Sequence, residues 1–191
     1  MIMENFRFYQ LDLEGAVLIK VFHAEDNRGK LIKDFNCEIF KNNGIEYNLK
    51  ETFYTVSKRG VIRAIHFQLD KQQAKLVRCI SGKIYDVIVD LRPDSPTFGQ
   101  WRGFYLSSNN YCELLIPEFF GHGYLVIEDS VVSYKCANVF YGPGDSGIMY
   151  DDRQININWP LDEVGGIRNI IISEKDKRLM SFEEYKKYFN R

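Results

Sequence analysis

Residues 73–92 read QAKLVRCISGKIYDVIVDLR. Apolar residues dominate on both sides of Ser81-Gly82, as in strands packed on a core. In the second half Ile84, Asp86, Ile88 and Asp90 share one face, while Tyr85, Val87, Val89 and Leu91 share the other. Ser81-Gly82 has the composition of a two-residue turn, which predicts a hairpin of KLVRCI and KIYDVIVDLR. Just upstream, GVIRAIHFQ (60–68) is equally strand-like, yet carries Arg63 and His66. Charges set among apolar strand residues are costly if they face inward without partners. Asp86 is expected either in an active face or paired with Lys75 or Arg78.

Further strand-like runs recur between turn signals from about residue 16 to 158. GAVLIKVF (15–22) opens them, and DNRG (26–29) is a turn. DFNCEIFKNNG (34–44) fits a brief helix ended by Gly44. YNLKETFYTVS, WRGFYL, YCELLI, YLVIED and SVVSYKCANVF follow, with PEFFGHG (117–123) read as an interruption that puts His122 between two strands. So many closely spaced strands with little helix between them predict an all-β antiparallel sandwich or barrel. The end differs: SEKDKRLMSFEEYKKYF (173–189) carries a capping box, Ser181 three before Glu184, and reads as a helix. The expectation is one domain over 1–191, a β core at roughly 16–160 and a helical tail at 161–191.

Composition narrows the function classes. Among 191 residues, 45% are apolar and 27% charged, with a formal net charge of −1. A balance that close to neutral gives no support to nucleic-acid binding. No run of 18 apolar residues predicts a membrane span, and MIMENFRFYQ lacks a signal-peptide pattern. The four cysteines, Cys37, Cys79, Cys112 and Cys136, form no CxxC pair and read as buried, reduced thiols of a cytoplasmic protein.

Only three histidines are present: His23, His66 and His122. Taken singly, a strand histidine is more often structural than catalytic. A neutral imidazole becomes a general base when a carboxylate fixes its tautomer. A metal site is the rival reading, but the positions two before and two after His66 are Ala64 and Gln68, so no HxH pair exists there. No metal site is expected.

GVIRAIHFQ, QAKLVRCISGKIYDVIVDLR, SPTFGQW, IPEFFGHGYLV, SYK and INWP follow one another in order and spacing. Together they resemble the dTDP-4-dehydrorhamnose 3,5-epimerase family over roughly residues 20 to 176. The resemblance implies a cupin-type double-stranded β-helix, or jelly roll, forming a homodimer without metal or organic cofactor. It also implies a base at His66, an acid at Tyr134, a cation at Lys75 and an orienting carboxylate at Asp176. Arg63, Gln68 and His122 match positions that hold the ligand.

Inverting the carbons beside a C4 ketone proceeds through an enolate with its charge on O4. The step needs a base on one ring face, an acid on the other and a cation near the oxyanion. No GxGxxG after a strand and no P-loop are present. Each assignment has a plainer rival: Tyr134 as one of 12 tyrosines in packing, Lys75 as an edge lysine, Asp176 as a solvated acid within SEKDK. Strand parity adds a difficulty, because Arg63 and His66, three apart, should face opposite ways. Either a bulge intervenes, or Arg63 serves a neighbouring site or subunit.

The chain departs from the family's pattern in its ligand-contacting segments. After Arg28-Gly29, Lys33 stands where a glutamate is expected. Glu51 and Phe53 replace a Gln-x-Asn pair, and the segment after Tyr134 is one residue longer. Such changes predict the same chemistry on an altered nucleotide-sugar ligand, with a GDP-linked 4-keto-heptose as one candidate. The competing classes are a sugar-nucleotide 3,4-ketoisomerase, a non-catalytic sugar-nucleotide binder and, last, a metal-dependent cupin oxygenase.

Overall fold

A computed structural model describes residues 2–189. In chain order its elements are β1 (Ile2–Glu4), β2 (Arg7–Gln10), β3 (Val17–Lys20), β4 (Phe22–Asp26), β5 (Gly29–Lys33), α1 (Cys37–Asn42), β6 (Glu51–Ser57), β7 (Ile62–Gln68), β8 (Lys75–Asp90), β9 (Trp101–Ser107), β10 (Cys112–Ile116), β11 (Phe120–Cys136), β12 (Asp145–Gly147) and α2 (Phe182–Phe189). Strands thus begin well before residue 16, and none lies between 148 and 160.

The hairpin expected at Ser81-Gly82 is not there. β8 runs unbroken for 16 residues and β11 for 17, paired antiparallel from Phe120↔Asp90 to Cys136↔Lys75. His122 therefore lies inside a strand rather than between two. Gly82 does take a left-handed φ of +79°, but at a corner. A Cβ there would collide with the Asp129 carbonyl and Ser130 of β11. The β8–β11 register shifts at Val126, Glu128 and Val131, so both strands bend together through bulges. A Ser-Gly step serves a hairpin and a bent strand equally well; the pairing partner decides which forms.

Because β8 and β11 bend, they belong to two sheets. Before the corner β11 pairs β7, and β12 continues beyond β7. After it, β11 pairs β6. The second half of β8 pairs β9, its first half β10, and β3 and β2 extend from there. A separate sheet of order β1-β4-β5 is built around the DNRG turn. The result is a mostly β, cupin-like jelly roll with a short C-terminal helix.

Three apolar clusters explain the strand patterns. Ile84 and Ile88 of β8, Val132 and Tyr134 of β11 and Leu114 of β10 meet between the sheets. Val87, Val89, Leu125 and Ile65 face the other way, under Trp159, Phe182 and Tyr185 of the C-terminal segment. On the second sheet Ile19, Leu76 and Leu115 are covered by Phe40 of α1 and by Ile45. Both faces of the central strands are thus buried, and their polar residues require internal partners. Asp90 has them: Arg92, Ser95 and Thr97 all bond its carboxylate. Burial alone would raise its pKa, and these bonds lower it to about 2. The Ser and Thr of SPTFG therefore serve a loop.

The tail is mostly an extended strap with 3-10 turns, and α2 is its α-helical part. Ser181 N–H donates to Glu184 Oε2 at 2.7 Å and Glu184 N–H to Ser181 Oγ at 3.2 Å, the capping box read from sequence. Ile171 pairs with Val61, and Met180 with Ile148, so the strap lies along β7 and the segment after β12. Cys79, Cys112 and Cys136 are buried free thiols, but Cys37, the first residue of α1, is exposed. No described helix is long and apolar enough to cross a membrane.

Candidate active site

A cavity of about 550 Å³ opens between the sheets beneath the strap. β7 supplies Arg63, His66 and Gln68, β8 Lys75, β11 His122 and Tyr134, β6 Phe53 and Thr55, and the strap Ser173, Lys175 and Asp176. The parity problem is solved by a bulge. His66 pairs with His122 and Arg63 with Tyr124, three steps on β7 against two on β11. Gly123 lies across from it, where a Cβ would sit 2.6 Å from the Ala64 Cβ and 2.7 Å from the Arg63 carbonyl. Glycine lets the bulge approach, and the bulge turns Arg63 and His66 into one cavity.

Each cavity histidine has its own carboxylate. His66 Nε2 lies 3.1 Å from Asp176 Oδ2, and His122 Nε2 lies 2.8 Å from Asp86 Oδ2. Asp176, on a 3-10 turn, is fixed from below by its own N–H donating to Ser173 Oγ. The Lys175–Asp145 ion pair ties the same turn to β12. Burial raises the Asp176 carboxyl, but the His66 and Ser173 bonds outweigh it and its pKa is lowered. Asp86 is fully enclosed; there burial wins over His122 and Lys75, and its pKa is raised. Of the two expectations for Asp86, pairing with Lys75 or Arg78 is not what forms: its partner is the cavity histidine His122. Among the described residues no group of three or more His, Cys, Asp or Glu side chains is arranged to hold a metal ion.

Tyr134 presents its ring to the cavity from the second sheet. Phe53 stacks on it at 4.6 Å with rings 10° from parallel, and the His122 ring meets its edge at 5.8 Å. Burial first, and then neighbouring Tyr124 and Asp86, push the Tyr134 phenol well above its ordinary value, so it is a neutral donor. Lys75 has no carboxylate within ion-pair distance among the described residues, and burial lowers its pKa. An unpaired cation facing a cavity is a place for ligand oxygen.

The arrangement has the parts of an enolate-forming isomerase: an oriented imidazole, a neutral phenol from the opposite sheet and a free ammonium. A family model described as dTDP-4-dehydrorhamnose 3,5-epimerase matches residues 10–184. The chain belongs to the dTDP-4-dehydrorhamnose 3,5-epimerase family. Epimerases are isomerases, and this chain is an enzyme of that class. It is 44% identical over 183 residues to the dTDP-4-dehydrorhamnose 3,5-epimerase of Methanothermobacter thermautotrophicus, covering 95% of this chain and 97% of the relative. The Mycobacterium tuberculosis rmlC epimerase superposes with a TM-score of 0.90 at 32% identity, covering 96% of this chain and 92% of the other. A Legionella pneumophila dTDP-6-deoxy-D-glucose-3,5-epimerase in complex with dTDP-4-keto-L-rhamnose gives 0.88 at 30% identity, covering 94% of each.

The other positions singled out in the sequence of this epimerase spread more widely. Gln68 lines the cavity, but its amide is spent on backbone, donating to the Lys71 carbonyl and accepting from Tyr141 N–H, each at 2.7 Å. Of the three altered positions only Phe53 lines the cavity. Glu51 accepts from Phe140 N–H at 2.8 Å and so sets the loop that brings Phe140 to the mouth. Arg28, paired with Asp26, and Lys33, against the Phe22 ring, sit on the β4–β5 hairpin and do not reach this chain's own cavity. Sequence reading missed Thr55, Phe140 and Lys175 as cavity residues. Thr55 was legible in principle, two residues from Phe53 on the same strand face.

Proposed function

We propose that this epimerase inverts C3 and C5 of a dTDP-linked 4-keto-6-deoxyhexose. The observation that carries the reading is the His66–Asp176 pair on the first sheet and strap, opposed across one cavity by Tyr134 on the second. His66 takes the proton beside the ketone, Lys75 stabilises the charge on O4, and Tyr134 returns a proton to the other face of the ring. Arg63 and His122 hold the diphosphate or the sugar. The ketone makes the adjacent C–H bonds acidic, so the reaction as written needs no metal or organic cofactor. The 44% identity to a dTDP-sugar epimerase favours dTDP over GDP.

We read the chain as one domain, since the tail buries Phe182 and Tyr185 on the β core. A homodimer accounts for two features. β6 has a free edge with Tyr54 and Val56 exposed, and Arg28 and Lys33, expected at the ligand, stand on a hairpin away from their own cavity. Pairing of two copies brings that hairpin to the partner's cavity. Nucleotide-sugar synthesis and the reduced thiols favour the cytoplasm, without a nucleic-acid or membrane partner.

The test is incubation of dTDP-, GDP-, UDP- and CDP-linked 4-keto sugars in D2O, followed by mass and product stereochemistry. Two deuteriums and an inverted product from the dTDP sugar are expected. A shifted carbonyl would indicate a 3,4-ketoisomerase, binding without exchange a non-catalytic module, and exchange confined to a GDP sugar would overturn the nucleotide assignment.

A further inference from the structure

Inversion by two groups leaves a proton imbalance. When His66 removes a carbon-bound proton and Tyr134 supplies one to the other face, the enzyme holds a protonated imidazole and a phenolate. The second inversion cannot start until the phenolate regains a proton, and the sugar then lies between His66 and Tyr134. His66, whose side chain is 28% exposed, can release its proton to solvent. Tyr134 needs another source, and the residues behind it supply a candidate.

Tyr124 of β11 is fully buried between the sheets, in the same cluster as Tyr134. Both rings flank His122, with centroid distances of 6.1 Å from Tyr124 and 5.8 Å from Tyr134. The Tyr124 hydroxyl lies 2.7 Å from Thr55 Oγ1. Thr55, on β6, lines the cavity, as does Tyr134. A buried phenol needs a hydrogen-bond partner, and Thr55 satisfies this one while facing space that water can enter. The Tyr124 hydroxyl is also among the groups that act on the Tyr134 phenol, second to burial.

Resting on the epimerase reading above, we propose that Thr55 and Tyr124 form a hydroxyl relay that reprotonates Tyr134 between inversions. Each step moves one proton. The Tyr124 O–H passes its proton to the Tyr134 phenolate, Thr55 O–H replaces it on Tyr124, and cavity water replaces it on Thr55. The proton taken from carbon leaves His66 to solvent, so each inversion draws one proton from water and returns one. Tyr124 acts through Tyr134 and is a positioning residue.

The test compares single-turnover and steady-state kinetics of wild type, Tyr124→Phe and Thr55→Val with the dTDP-linked 4-keto-6-deoxyhexose in D2O. Tyr124→Phe removes one oxygen and keeps the ring, and melting curves check the fold. In Tyr124→Phe, delivery of the first deuterium should stay within about threefold of wild type. Steady-state kcat should fall at least tenfold at unchanged KM, with singly deuterated product accumulating, and Thr55→Ser should restore what Thr55→Val loses. Unchanged kcat and a normal second deuterium in Tyr124→Phe would overturn the relay.

A second measurement does not depend on turnover. In protein labelled with 3-fluorotyrosine, the Tyr134 resonance, assigned by its loss in Tyr134→Phe, should shift in Tyr124→Phe and also in Thr55→Val. If Thr55→Val leaves it in place, the hydroxyls are not linked and the relay fails. Should wild type exchange no deuterium into any sugar, the epimerase reading fails by that result alone, while the resonance still decides whether the three hydroxyls are coupled.

Discussion

β8, β10 and β11 carry buried charges on both of their faces, and the two sets are organised in opposite ways. On the inner face Asp86 bonds His122 through one oxygen and leaves the other without a partner, while Lys75 has no ion pair among the described residues. On the outer face, beneath the segment leading to α1, Lys135 bonds Glu113 at 2.7 Å and Asp34 at 3.0 Å. Arg78 reaches the same Asp34 at 3.5 Å. Lys135 immediately follows Tyr134, so adjacent residues point into the two environments. The outer cluster pairs each cation with a carboxylate and holds a covering segment, although Glu113 Oε2 and Arg78 Nε are left without partners. The inner one is left incomplete toward a cavity, which is what a ligand-binding set requires.

The largest expected effect belongs to the inner face. His66→Asn should lower both deuterium uptake and inversion by about 10⁴, the upper end of what one positioned base contributes. Tyr134→Phe should separate the two readouts: inversion falls by about 10²–10⁴ while exchange with retention persists, because His66 can return a solvent deuteron. Normal inversion of both centres in Tyr134→Phe would place the acid elsewhere, with Asp86 and Tyr141 the next to test.

The two lysines offer a direct contrast. Lys75→Ala should slow exchange and inversion together by about 10²–10³, since O4 loses its cation in either case, with a melting temperature near wild type. Lys135→Ala should do the reverse, costing about 3–5 kcal/mol of stability by stranding Glu113 and Asp34, and leaving kcat of the folded fraction near normal. Urea unfolding and saturating-substrate kinetics on the same samples decide it. Equal losses of stability in both variants would erase the distinction between the faces.

Acid–base behaviour sharpens the comparison further. Burial raises the Glu113 carboxyl to about 7, against the opposing pull of Lys135. Burial also works against the Lys135 ammonium, but Glu113 and Asp34 together raise its pKa, so it stays charged. A folded-state pKa above the unfolded one means that Glu113 binds its proton more tightly in the native state. Its contribution is therefore complete below about pH 4.5 and is lost as pH rises to about 7. Glu113→Gln should abolish that decline, so wild type should lose on the order of 1–3 kcal/mol relative to the variant between pH 5 and 7.5. Parallel stability profiles for the two proteins would show that Lys135 keeps Glu113 ionised throughout.

The smallest effect is expected at Lys33, on the hairpin outside both clusters. Lys33→Glu should raise KM several-fold with kcat unchanged, as for binding lost equally from ground and transition states. In the dimer proposed above, that effect disappears in any variant held monomeric. A fall in kcat alone would make the position structural.

How legible was all this in the sequence? His66, Lys75, Tyr134 and Asp176 were each named from motif register, and all four line one cavity. The bulge between Arg63 and His66 was also foreseeable, because residues three apart on a strand cannot otherwise share a face. Thr55 and Tyr124 were passed over: a threonine and a tyrosine in strands look like packing until a 2.7 Å contact joins them across the sheets. For Asp86 the sequence left a place in the active face and pairing with Lys75 or Arg78 both open; its actual partner, His122, is near only through β-pairing.

Local chemistry, then, determined the strand-rich class, the DNRG turn and the capping box of α2, because alternation, turn preference and capping act over a few residues. Only the tertiary structure decided that Ser81-Gly82 bends one long strand instead of joining two, since the same glycine conformation suits both and the choice lay with β11. It also decided which charges would be satisfied and which left open. Whether a buried lysine is a structural cation or a ligand's counter-charge depends on the carboxylates that other strands bring within reach of it. Among the described residues they brought two for Lys135 and none for Lys75.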